Sequence, residues 1–122
     1  MKILLVEDDP LLIDIYTTKL QEAGFSLVVV SDGAKVVEEA RAAKPDIVLL
    51  DIVLPNVDGW EVLRSLKADN ELKNIKVIIL SNLGQKEEVE KGLQMGAARY
   101  LIKAHYTPSQ VAEEIQNLVS GH

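Results

Sequence analysis

Cysteine is absent from all 122 residues, so neither a disulfide framework nor thiolate chemistry is available to this chain. That absence is compatible with a cytoplasmic location. There is no excess of basic charge: 13 Lys and Arg face 19 Asp and Glu, for a net charge of -6. A nucleic-acid-binding surface needs a basic footprint, so this composition argues against one while suiting divalent cations and basic partners. No long hydrophobic run opens the chain. Met1 to Val6 passes directly into Glu7, Asp8 and Asp9, too short for a secretory signal or a membrane span, and a soluble protein with no membrane partner is expected. Low-complexity tracts, linkers and sequence repeats are also lacking, and His105 and His122 form no ligand cluster.

Hydrophobic residues make up 48% of the chain, enough at this length for one ordinary core, and a single domain over residues 1–120 is expected. Gly121 and His122 are set aside as a native end or an appended tail. Apolar runs of strand length alternate with helical periodicity. Lys2–Val6 reads as a strand buried on both faces, and Pro10, with Asp9 as N-cap, opens a helix through Leu11, Leu12, Ile15, Tyr16 and Leu20 that Gly24 stops. Ser26–Val30 and a helix through Val36, Val37, Ala40 and Ala43, ended by Lys44-Pro45, repeat that unit. Asp46–Leu50 is the third strand, with a helix from about Asp58 through Leu66. Lys76–Leu80 and Lys86–Met95 form the fourth unit, and Ala97–Ile102 with a helix opened by Thr107-Pro108 the fifth. Such alternation favours α/β architecture: a five-stranded parallel sheet with helices on both faces.

In an open parallel sheet, functional residues gather at the carboxyl ends of the strands. Those ends carry Glu7, Asp8 and Asp9, then Asp51, then Ser81, then Lys103. Acids about 5 Å apart repel by roughly 3 kcal/mol per pair at an effective dielectric of about 20, so something positive is required. Carboxylates suit a hard cation, and Mg²⁺ fits because it is commonly held by one or two carboxylates plus phosphate oxygens. The backbone carbonyl of Val53 is a further candidate ligand, Lys103 supplies a second cation and Ser81 a hydroxyl. A metal, an ammonium and a hydroxyl around one carboxylate make a site for a phosphoryl group, with Asp51 as acceptor. Asp9 and Asp58 read as helix caps, and Trp60, the single tryptophan, as packing.

Four motifs in order span essentially the whole chain: Ile3-Leu4-Leu5-Val6-Glu7-Asp8-Asp9, Asp51 to Gly59, Ser81, and Tyr100-Leu101-Ile102-Lys103. They resemble the response-regulator receiver domain, the phosphoacceptor module of two-component signalling. The resemblance implies a flavodoxin-like fold with strand order 2-1-3-4-5. It also implies that Asp51 is phosphorylated by a histidine kinase or phosphotransfer protein, that Asp8 ligates Mg²⁺, and that Glu7 acts through a metal-bound water. Ser81 and Tyr100 then carry a switch that alters the surface of the fourth helix, fifth strand and fifth helix for an output protein of unknown identity. The resemblance implies a monomer or a weak homodimer. The sequence ending with the fifth helix is expected either of a stand-alone regulator or of a receiver taken from a longer protein.

Three positions depart from the family pattern. Asn82 stands where a small residue usually follows the switch hydroxyl, and it is expected to crowd the access route. Ala104 replaces the proline after Lys103, and since a cis bond without proline costs about 2.5–4 kcal/mol, a trans peptide is expected there. Val53 and Leu83 are both apolar and are expected to exclude hydrolytic water, giving slow self-dephosphorylation in a protein that is not otherwise an enzyme. The alternatives are a degenerate receiver acting without phosphorylation, and a Mg²⁺-dependent phosphohydrolase, which needs an acid where Val53 stands. A flavodoxin-type electron carrier is a third, disfavoured because no glycine- or hydroxyl-rich phosphate loop follows the first strand.

Overall fold

Short β-branched and leucine-rich runs become strands, and the segments with helical periodicity become the crossovers between them. The structure, a computed structural model, describes residues 1–121, so His122 of the expected tail lies outside the described residues. The elements are β1 (Lys2–Val6), α1 (Pro10–Glu22), β2 (Ser26–Val30), α2 (Val36–Ala43), β3 (Ile47–Leu50), α3 (Gly59–Ala68), β4 (Lys76–Ser81), α4 (Lys86–Gln94), β5 (Arg99–Ile102) and α5 (Pro108–Val119). All five strands are parallel and run in the order β2-β1-β3-β4-β5, the flavodoxin-like topology expected.

Alternation along the strands divides the core into two layers. Leu4, Val6, Val48, Leu50, Val77 and Ile79 face Val36 and Ala40 of α2 and Val62, Leu63 and Leu66 of α3. Ile3, Leu5, Leu49, Ile78, Leu80 and Leu101 face Tyr16 and Leu20 of α1 and Val111, Ile115 and Leu118 of α5. Because both faces are covered, β1 and β3 are apolar almost throughout, as a doubly covered parallel sheet requires.

Caps end the helices where the sequence predicts. Asp9 accepts from the amides of Leu11 and Leu12, with Pro10 in the first turn of α1. Asp58 caps α3, and Thr107 and Gln110 form a reciprocal capping box on α5. Boundaries also shift: β3 starts at Ile47 and α4 ends at Gln94. A 3-10 turn over Gly33–Lys35 precedes α2, β4 extends through Ser81, and β5 starts only at Arg99. α2 ends on Lys44 in the left-handed region (φ 51°), where its amide still reaches Ala40 and Pro45 bars a further turn.

One close approach fixes the loop after β3. A Cβ on Gly59 would lie 2.2 Å from the Ile52 carbonyl oxygen and 2.5 Å from its Cα, so the first residue of α3 has to be glycine for the helix to seat against that backbone. Gly59→Ala is expected to destabilise the protein by about 2 kcal/mol or more, since overpacking forces a backbone shift. Urea unfolding should show a lower midpoint with an unchanged m-value.

Candidate functional site

β1 and β3 are neighbours in the sheet, and the residue after each is an acid. Glu7 donates its amide to Val30 and Asp51 donates its amide to Val6, both at 3.2 Å, so the ladder carries each acid into register at the sheet's carboxyl edge. Glu7 is 2% exposed and Asp51 5%, a burial that charged carboxylates tolerate only when paired. Lys103, immediately after β5, supplies the pairing. Its Nζ donates to Asp51 Oδ2 at 2.6 Å and to Glu7 Oε1 at 2.7 Å. Burial works to lower the Lys103 pKa, but the hydrogen bonds and charges of Asp51 and Glu7 outweigh it and hold the ammonium above its ordinary value.

The remaining carboxylate oxygens are also engaged. Asp51 Oδ1 accepts from the Val53 amide at 2.9 Å. Glu7 Oε2 accepts from the amides of Asp8 and Asp9, at 3.1 and 3.2 Å. Asp8 is exposed, and a carboxylate oxygen from each of Glu7, Asp8 and Asp51 lies within 4.8 Å of the others. That all-oxygen, net-negative donor set fits a hard divalent cation. These residues line a pocket of about 310 Å³ together with Val53, Asn82, Lys103 and Leu12. Asp9 also lines it, while serving as the expected cap of α1.

Ser81 is placed differently. It ends β4 fully buried, its Oγ accepts from the Leu83 amide at 3.3 Å, and it does not line the pocket, where Asn82 stands instead. Tyr100 on β5 donates its hydroxyl to the Leu83 carbonyl. Leu83 therefore joins the two residues expected to form the switch. Tyr100 lies against α4 with its hydroxyl already directed to that loop. Burial chiefly, with the charges of Glu88 and Asp51, pushes its phenol up to about 12. The Lys103–Ala104 peptide is trans, as expected, and Lys103–His105 forms a 3-10 turn.

Two contributions were not legible beforehand. Asn82 figured only as an obstruction, yet it forms part of the lining. Tyr16 read as an ordinary core residue of α1. Its phenol is raised in pKa by burial first; Lys103 pulls the other way, and Glu7 and Asp51 add to the rise. Helical spacing places Tyr16 on the face of Leu12, which already lines the pocket, and that was the available signal.

Fold and site together define a class: a flavodoxin-like α/β protein whose carboxyl edge carries a lysine-bridged pair of buried acids. The response regulator receiver domain family matches residues 3–116, and the chain belongs to that family, the phosphoacceptor domains of two-component signalling. It is 38% identical over 103 residues to the transcriptional regulatory protein CusR of Escherichia coli K12, covering 84% of this chain and 44% of CusR. It is 36% identical over 102 residues to the DNA-binding dual master transcriptional regulator RpaA of Synechocystis, covering 84% of this chain and 42% of RpaA. The chain spans less than half the length of these curated relatives. The BeF3-activated receiver domain of Klebsiella pneumoniae RstA superimposes with a TM-score of 0.87 at 30% identity, over 95% of this chain and 96% of that one. No helix among the described residues is long and apolar enough to cross a membrane.

Gly92 sets the position of Tyr100. A Cβ there would lie 2.7 Å from Ile79 Cδ1 and 2.8 Å from Tyr100 Cδ2, closer than side chains approach. Gly92→Ala is expected to displace the ring and bring the Tyr100 phenol from about 12 back toward 10.0. Ultraviolet titration of the tyrosines, with Tyr100→Phe to assign the signal, checks this; an unchanged high titration would refute it.

Proposed function

We propose that Asp51 is the phosphoacceptor of a receiver unit spanning residues 1–120, taking its phosphoryl group from a histidine kinase or phosphotransfer protein. The observation that carries this reading is the Lys103 ammonium held between the buried carboxylates of Asp51 and Glu7. An ammonium in that place is ready to follow the negative charge as it moves onto transferred phosphoryl oxygens. Val53's amide holds Asp51 Oδ1 and limits rotation of the carboxylate. One Asp51 oxygen forms the new bond to phosphorus while the bond to the donor nitrogen breaks, and the electron pair leaves with the donor imidazole.

Asp8, Asp51 and the Val53 carbonyl are the proposed ligands of Mg²⁺. Glu7 has one oxygen on Lys103 and the other on two amides, which supports contact through a water rather than directly. A hard divalent cation bound there neutralises part of the phosphoryl charge.

The switch runs through Leu83. A phosphoryl group adds roughly -1.5 to -2 charge and three acceptor oxygens, to which the Ser81 hydroxyl, now accepting from the Leu83 amide, can donate. Drawing Ser81 toward them loosens the loop that also accepts the Tyr100 hydroxyl, and the face formed by α4, β5 and α5 changes for an output partner.

Intact-mass measurement after incubation with acetyl phosphate and Mg²⁺ is the direct test. One added phosphate is expected, with none on Asp51→Asn. Equal uptake by Asp51→Asn would remove Asp51 from this role, and continuous hydrolysis of the donor would mark a hydrolase. Val53, 54% exposed at the pocket, is proposed to keep hydrolytic water from the acyl phosphate. Val53→Asn should therefore shorten the phosphoryl half-life several-fold, followed by loss of the added mass; an unchanged or longer half-life would contradict that.

A further inference from the structure

Of the five α-helices, α4 is the one least held by burial. α1, α2, α3 and α5 each bury two or more side chains, whereas the buried residue of α4 is Gly92, which has no side chain. Leu93 beside it is 46% exposed. An element with so little buried apolar surface opens at low cost, so its position depends on the few contacts it does make.

Two of those contacts come from consecutive residues and reach different elements. Gly92 admits the ring of Tyr100 from β5, and Lys91 places its Nζ 4.4 Å from the ring centroid of Trp60 on α3. Glu87 stands one turn before Lys91, yet no ion pair joins them among the described residues, although the neighbouring i,i+4 pair Lys86–Glu90 is formed. The Lys91 ammonium lies over the indole instead, drawn to the negative face of the aromatic ring.

Trp60 in turn is tied to the segment that follows Asp51. Its amide donates to Asp58 Oδ1, Asp58 pairs with Val53, and Gly59 is pressed against the Ile52 backbone. The indole therefore stands on the segment that carries the phosphoacceptor. Lys91 joins α4 to that segment by a route that does not pass through Leu83.

We propose that Lys91 and Trp60 form a clasp that holds α4 in its present place and thereby sets how readily a phosphoryl group on Asp51 shifts that helix. The regulatory half of this inference rests on the assignment of Asp51 as phosphoacceptor. An equilibrium between two arrangements responds only to interactions that differ between them. The clasp is such an interaction, because a cation acts on a ring only within about 6 Å of its centroid and a displaced α4 carries Lys91 away. By linkage, whatever the clasp adds to the present arrangement is subtracted from the affinity of Asp51 for a phosphoryl group. Lys91 is thus a positioning residue. It touches nothing at the carboxylate pocket and acts through Trp60 and α4.

The test titrates the whole chain with beryllofluoride in the presence of Mg²⁺, as a phosphoryl probe, and reads the midpoint from the amide spectrum of α4. Lys91→Met keeps the apolar stem and removes the charge. It is expected to tighten the midpoint about two- to fivefold, the factor an exposed cation–π contact carries, and to speed amide exchange in α4 by a similar factor before any probe is added. Lys91→Arg retains a cation for the ring and should restore both values. In a Trp60→Leu background, Lys91→Met should change neither, which separates the pair from a general effect of lost charge or lost packing. An unchanged or weakened midpoint in Lys91→Met, or an effect that persists in Trp60→Leu, would overturn the inference. No spectral shift in the parent, or the same shift in Asp51→Asn, would remove the Asp51 assignment and with it the regulatory role. The exchange rates need no phosphoryl probe and decide by themselves whether the clasp holds α4: equal rates in the parent and Lys91→Met would refute it.

Discussion

Two carboxylates that the sheet forces together, Glu7 and Asp51, are the constraint on which the rest of this structure depends. Neighbouring parallel strands deliver them to the same edge, almost out of reach of water, and Lys103 is the ammonium that bonds both. Removing one partner of such a buried charge pair costs about 3–5 kcal/mol, because the other charge is left uncompensated. A well-packed apolar replacement of all three would serve stability as well or better. That the chain keeps them is therefore best understood through charge chemistry at the edge rather than through stability.

From that edge the surroundings divide into groups that hold the acids and the loop after β4 beside them. The amides of Asp8, Asp9 and Val53 hold oxygens in place, and the Gly59 approach to Ile52 seats α3 beneath the Asp51 loop. The loop after β4 joins two further residues. Leu83 bonds Ser81 through its amide and Tyr100 through its carbonyl, so one residue touches both the end of β4 and the ring that packs under α4. Gly92 is the notch that admits that ring. Buried, closely packed elements of this kind shift between discrete arrangements rather than deforming smoothly.

Much of this was legible in the residues. Runs such as Ile47–Leu50, apolar without interruption, announce strands covered on both faces, and Asp9, Asp58 and Thr107 announce helix starts through local hydrogen bonding that depends on few distant residues. An acid or an ammonium at the end of such a strand is visible as an anomaly, which is why Glu7, Asp51 and Lys103 could be singled out. Boundaries were less secure: Ala97 and Ala98 are apolar enough for a strand, yet β5 begins at Arg99, where pairing with Ile78 starts. Tyr16 was hidden for a different reason. Helical periodicity marks a buried aromatic but does not say whether its hydroxyl ends in packing or in a hollow.

The sequence by itself determined the local matters: which segments are strands, where the helices start, and which charged groups sit at strand ends. These depend on side-chain shape and on hydrogen bonds within a few residues. Tertiary structure alone decided that Lys103, 96 and 52 residues away in sequence, bridges Glu7 and Asp51, that Ser81 faces Leu83 while Asn82 lines the pocket, and that Tyr16 and Lys103 line one hollow. Those outcomes follow from strand order, from register and from the way each side chain leaves its backbone. None is encoded in a local pattern, because each is a distance between parts of the chain that only the packed sheet brings together.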